Sequence, residues 1–182
     1  MNGPLDLKLF KNKYFVIGGA IKDNTYDTVY PRGCLLVIDK NNISTVLTTS
    51  IKIDRGLGAS IAKIYDYDVS EDSNVVISLI SIGAVVSEVG LVWGMAGDGH
   101  HNEIYKHSFS EANGSLTKTG GFTWNVGYMD TCDTLDLFGN FFYLSCGFWL
   151  PNASDGSLPL VAKFNLATMA YSYSYYMGFD LA

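Results

Sequence analysis

Lys13-Tyr-Phe-Val-Ile-Gly-Gly, Asn74-Val-Val-Ile-Ser-Leu-Ile and Gly139-Asn140-Phe-Phe-Tyr-Leu-Ser-Cys-Gly are three versions of one short apolar run. Each is followed, after a connection of varying length, by a second run: Cys34-Leu-Leu-Val-Ile-Asp-Lys, Glu103-Ile-Tyr-Lys-His-Ser-Phe and Leu158-Pro-Leu-Val-Ala-Lys-Phe-Asn. The pairs return with a period of about 60 residues, and a unit of short strands at such a period cannot bury its own apolar faces; it must stack on a neighbour. The chain therefore reads as all-β, with three four-stranded antiparallel units covering approximately residues 1–59, 60–125 and 126–182 of one repeat domain.

The remaining strands follow from the same frame. Acidic runs open the units at Leu5-Asp-Leu-Lys-Leu-Phe, Ser60-Ile-Ala-Lys-Ile-Tyr-Asp-Tyr-Asp-Val and Tyr128-Met-Asp-Thr-Cys-Asp-Thr-Leu-Asp-Leu. Turns follow at Ser70-Glu-Asp-Ser and Gly139-Asn140, where side chains that bond their own backbone, or glycine, favour reversal. Fourth strands are expected at Ser44 to Ile51, Leu116 to Trp124 and Ala170 to Met177, the last alternating polar and aromatic residues with the period of a half-wet strand. No stretch has helical periodicity; Arg55 to Lys63 has room for one turn, but its glycines favour a loop. The connections at Lys22–Gly33, Gly83–Asn102 and Pro151–Ser157 differ in length at one equivalent position, which in a repeat array maps to one face and commonly a binding face.

Composition narrows the function classes. Apolar residues make up 48% and charged residues 16% of the 182, which describes a globular chain rather than a disordered one. A net charge of −6 argues against tracking a nucleic-acid backbone, which needs a basic face. No apolar run approaches the roughly 20 residues of a membrane-spanning helix, and Met1 to Phe10 lacks the basic segment and apolar core of a signal peptide. Asn42, Asn113 and Asn152 open Asn-x-Ser sequons in expected loops, at a number close to what composition gives by chance.

Cys132 and Cys146 lie symmetrically about Gly139, so a hairpin turning there sets them opposite each other. A cross-strand disulfide that leaves Cys34 over is one reading. The other, which we take as the expectation, is three buried thiols packing as small hydrophobes.

The third unit, with its Gly139-Asn140 turn, its strand ending at Gly147, its Val161-Ala-Lys-Phe-Asn strand and its last strand ending near Gly178, resembles the blades of β-propeller repeat proteins common in secreted and surface proteins. The first two units share the order of elements and the strand ends, with Lys13 and Ser73-Asn74 replacing the glycine-asparagine turn. The resemblance implies a propeller-like scaffold, favours an extracellular or cell-surface setting and carries no catalytic residues. Propellers normally close with at least four blades, so three units imply a piece of a larger ring or an open array that closes by association.

Polar clusters give the candidate sites. Asp98, His100, His101 and His107 hold imidazoles and a carboxylate near a glycine-permitted loop, which is donor chemistry for a divalent cation; the competing account, and the expected one, is a solvated loop beside a strand. Asp66-x-Asp68-x-Ser70-x-Asp72 has oxygen ligands at alternate positions, yet Glu71 stands where a calcium loop requires glycine. No cofactor is expected beyond such a cation. Asp66, Asp68, Asp130, Asp133 and Asp136 come from equivalent strands, and a hydrolase or lyase using them as acid and base is the alternative function. Tyr26, Tyr30, Trp93 and Trp149 in the variable connections form the candidate binding surface, with packing between blades as the competing role. The expected function is thus a non-enzymatic scaffold that presents variable loops to a protein or glycan. A further alternative is a structural subunit that self-associates through its edges near Leu5–Phe10 and Ala170–Met177.

Overall fold

The computed structural model of the chain describes residues 4–22, 31–51, 60–84, 101–124, 128–149 and 158–176. They form three four-stranded antiparallel sheets and no helix, in a propeller-like array. The first sheet contains β1 (Pro4–Phe10), β2 (Tyr14–Lys22), β3 (Pro31–Asp39) and β4 (Asn42–Ile51). The second contains β5 (Ser60–Ser70), β6 (Val75–Ala84), β7 (His101–Ser110) and β8 (Ser115–Trp124). The third contains β9 (Tyr128–Phe138), β10 (Phe141–Trp149), β11 (Leu158–Asn165) and β12 (Tyr171–Tyr176). Each sheet is a meander whose strands neighbour one another in chain order.

The three sheets share their register as well as their order. In β1 the pairing jumps between Pro4 and Asp6, in β5 between Ile64 and Asp66, and in β9 between Cys132 and Thr134, so each first strand carries a bulge at the same place: Leu5, Tyr65 and Asp133. Counting from the bulge aligns Leu7 with Tyr67 and Leu135, Lys8 with Asp68 and Asp136, and Phe10 with Ser70 and Phe138. The hairpins that follow these strands differ in length. Lys11 and Asn12 take positive φ in the first hairpin, Asn74 in the second and Gly139 in the third, so asparagine and lysine do in two units what glycine does in the other.

Stacking places two cores between the sheets. Phe10, Tyr14, Val16, Leu35 and Val37 of the first sheet pack on Ile64, Tyr67, Val76, Ile80 and Phe109 of the second. Val75, Ile77, Leu79 and Ile104 then pack on Leu135, Phe142, Leu144, Leu160, Ala162 and Phe164 of the third. The middle sheet is covered on both faces, which is why Val75 to Ile80 is nearly unbroken in its hydrophobicity where a one-sided strand would alternate. Gly18 leaves room for the first junction: a Cβ there would meet the Tyr67 ring at 2.4 Å.

The cysteines require a correction. Cys132 and Cys146 are paired across β9 and β10 and form a disulfide, where three buried thiols were expected. The hairpin symmetry puts them opposite each other beside the bulge, and proximity there outweighs the general tendency of cysteine to pack as a free hydrophobe. Cys34 is free and buried, and burial pushes its thiol pKa up.

Candidate functional site

β1, β5 and β9 are the terminal strands of their sheets, so each has an edge of backbone N–H groups that its own sheet does not pair. The three edges lie side by side, and acidic residues occupy the gaps between them. Asp66 accepts from the Tyr67 amide of its own strand at 2.8 Å and, with its other oxygen, from the Leu135 amide of β9 at 2.7 Å. Asp68 repeats this one step along: one oxygen takes the Val69 amide at 2.9 Å, the other the Leu137 amide at 2.8 Å. Tyr67 and Leu135 hold aligned positions, as do Val69 and Leu137, so each carboxylate bridges equivalent amides of adjacent sheets. Hydrogen bonds to an ionised acceptor are the strong kind, and here they also close an edge that would otherwise attract a foreign strand.

On the other side, Lys8 donates to Asp68 at 2.8 Å, and the Tyr67 hydroxyl lies 2.9 and 2.8 Å from the carbonyls of Asp6 and Val16. Burial pushes the Tyr67 hydroxyl pKa far up, so it remains a donor. The turns at the far ends of the sheets are stapled too. Tyr14 and Thr48 donate to the carbonyls of Glu111 and Gly114 in the β7–β8 turn, at 2.9 and 3.1 Å. Lys106 donates to those of Leu166 and Ala167 after β11, at 2.7 and 3.1 Å.

This arrangement changes what the acidic run can do chemically. Both oxygens of Asp66 and of Asp68 accept backbone amides, one within β5 and one across the sheet junction. The segment through Ser70 is extended strand, so its carboxylates do not converge on a calcium ion, and they act as bridges between sheets instead. Asp133 and Asp136 on β9 are exposed.

The residues proposed from sequence fall as follows. Tyr26, Tyr30, Trp93, Asp98 and His100 lie outside the described residues. Trp149 ends β10, paired with Tyr128, and His101 opens β7, paired with Ile82; only their backbone is described. His107 is described in full and is buried in β7, the strand on which the sequence reading placed it. It shares a face with Glu103 and Tyr105: the Tyr105 hydroxyl donates to the Glu103 carboxylate, and its ring stands edge-on to the imidazole with centroids 6.4 Å apart. Burial, and secondarily the positive charge of Lys118, pushes the His107 pKa down to about 4, so the ring is neutral near pH 7. No group of three or more metal-ligating side chains occurs among the described residues.

Sequence reasoning missed the role of Asp66, Asp68 and Lys106, whose partners lie about one unit further along the chain. A signal was present in the apolar spacing: Ile64 and Tyr67, like Cys132 and Leu135, are both buried although three apart, a phase slip that marks the bulge. Compared with protein-family models and with curated proteins, the chain matches none.

Proposed function

We propose that the chain is a non-enzymatic β-propeller-like module, a rigid framework that presents its β2–β3, β6–β7 and β10–β11 connections to a protein or glycan partner. The carrying observation is the use of Asp66 and Asp68. The acids best placed to serve as a catalytic pair have both oxygens committed to backbone amides, one in their own strand and one in the neighbouring sheet, which is framework chemistry. The three connections leave from equivalent ends of equivalent strands and run through residues 23–30, 85–100 and 150–157, so variation is concentrated where a binding face is cheapest to vary. Tyr26, Tyr30, Trp93 and Trp149 are the aromatic anchors of that face. The Cys132–Cys146 disulfide suits an oxidising, secreted or surface setting.

The test is a titration of the whole chain with a panel of soluble oligosaccharides and of surface-protein ectodomains. Tryptophan fluorescence reports binding, and released reducing ends are measured on the oligosaccharide samples. The expected result is saturable binding that Trp93→Ala or Tyr26→Ala weakens, with the ligand recovered unchanged. Release of reducing ends that vanishes in Asp136→Asn would establish the hydrolase alternative instead.

A further inference from the structure

The outer faces of the first and third sheets carry the two halves of a junction that the molecule already builds twice. On the face of the third sheet turned away from the second, Phe138 is 78% exposed, whereas Phe10, at the aligned position of the first sheet, is 0% exposed because the second sheet covers it. On the opposite outer face, Leu7 is 52% exposed, whereas the aligned Tyr67 and Leu135 are 0% and 1% exposed because each packs on a preceding sheet. Val161, Tyr173 and Tyr175 extend the first surface, and Leu9 and Val46 the second.

The polar fittings are repeated as well. Asp136 aligns with Asp68, the residue that bridges to the next first strand, and Leu9 aligns with Leu137, whose amide donates to Asp68 in that bridge. Lys163, paired with Tyr143, aligns with Lys106, paired with Ile77, and Lys106 is the donor to the carbonyls after β11. The Lys163 ammonium rests 3.8 Å above the Phe141 ring and 5.2 Å from that of Tyr173.

We propose that the outer face of the third sheet docks on the outer face of the first sheet of a second copy of this chain, by the same operation that stacks the second sheet on the first and the third on the second. In that junction Asp136 accepts the Leu9 amide of the second copy, and Lys163 turns to the carbonyls of its Lys40–Asn41 turn. The contact is face to face and head to tail, not a pairing of strand edges. Head-to-tail contacts form a ring when the rotation closes. Propellers hold about four to eight blades, and six is the multiple of three in that range, so two copies complete the ring.

The experiment is the solution mass of the whole chain across a concentration series, by sedimentation equilibrium. The expected species is a dimer. Phe138→Glu alone or Leu7→Glu alone damages both junctions of the ring and weakens association by about 30-fold or more, the penalty for losing an apolar anchor. An equimolar mixture of the two variants contains one wild-type junction per pair and recovers dimer. That recovery also shows that both variants fold. Hydrogen exchange on the wild-type chain supplies a readout without substitution: the Leu9 amide gains protection as concentration rises. A chain that stays monomeric up to its solubility limit overturns the proposal, as does assembly that one variant abolishes and the other leaves intact, the signature of a symmetric contact between like faces.

Discussion

The two sheet junctions share a backbone plan and differ in what fills it. Between the second and third sheets the filling is apolar and aromatic. Phe164 stacks on Phe142 with centroids 4.9 Å apart and rings 8° from parallel, with Trp124 edge-on at 4.8 Å, and the Cys132–Cys146 disulfide lies in the same core. Between the first and second sheets, polar groups reach into the junction: the Tyr67 hydroxyl between two carbonyls, Lys8 on Asp68, Lys11 on Glu111. Buried His107 and Glu103 stand in the same sheet, on the face that also carries Tyr105. Where the third sheet has Phe164, the second has His107 and the first Ile38, by register. One repeat geometry therefore supports a junction whose core is apolar, with carboxylate bridges at its strand edges, and another whose core holds a buried imidazole.

The apolar junction is where a truncation costs most. Phe164 is buried among Phe122, Trp124, Phe142 and Tyr171, so Phe164→Ala leaves a cavity walled by rings that cannot collapse together. The expected loss is about 3–5 kcal/mol, measured as a shift of the urea midpoint at unchanged slope. A loss below about 1 kcal/mol would mean that the third sheet contributes little to the cooperative unit, and the contrast between the junctions would fail.

The polar junction should show itself in acid. The folded pKa of His107 is depressed to about 4 from the ordinary 6.5, so between those values the unfolded chain binds the proton and the folded chain does not. Stability is therefore full above about pH 6.5, falls as pH drops, and by pH 4 has lost roughly 3 kcal/mol at most from this residue. His107→Leu, which puts an aliphatic side chain where the first sheet has Ile38, should flatten that limb relative to the parent. Parallel pH curves for the two proteins would remove His107 from the account.

How much of this was legible follows from the range of each interaction. Strand order, hairpins and the three-unit division rest on period-2 patterning and turn chemistry, which act over a few residues, and they can be read from runs such as Asn74 to Ile80. The Cys132–Cys146 pairing was readable as geometry, but composition alone pointed elsewhere. The roles of Asp66 and Asp68 were not readable, because an acidic residue on an edge strand looks the same whether it faces water, a cation or an amide. Only the stacking of the next sheet decides among them. His107 could be placed on a strand from the run Glu103 to Phe109, but its burial could not, because that depends on the neighbouring sheet.

The smallest expected effect isolates one hydroxyl. The Tyr67 ring fills the space that Gly18 leaves, and its hydroxyl serves the carbonyls of Asp6 and Val16 with one proton. At the aligned position the third sheet has Leu135, so the geometry of a junction does not require a donor there. Tyr67→Phe keeps the ring and removes the donor, and the expected cost is about 1 kcal/mol, the net worth of an ordinary hydrogen bond, as a midpoint shift in urea. A cost near zero would mean that water replaces the hydroxyl and that the polar junction is held by its apolar part alone. A cost above about 3 kcal/mol would instead make Tyr67 the residue that sets the spacing of the first two sheets, with both carbonyls left buried and unserved once its proton is gone.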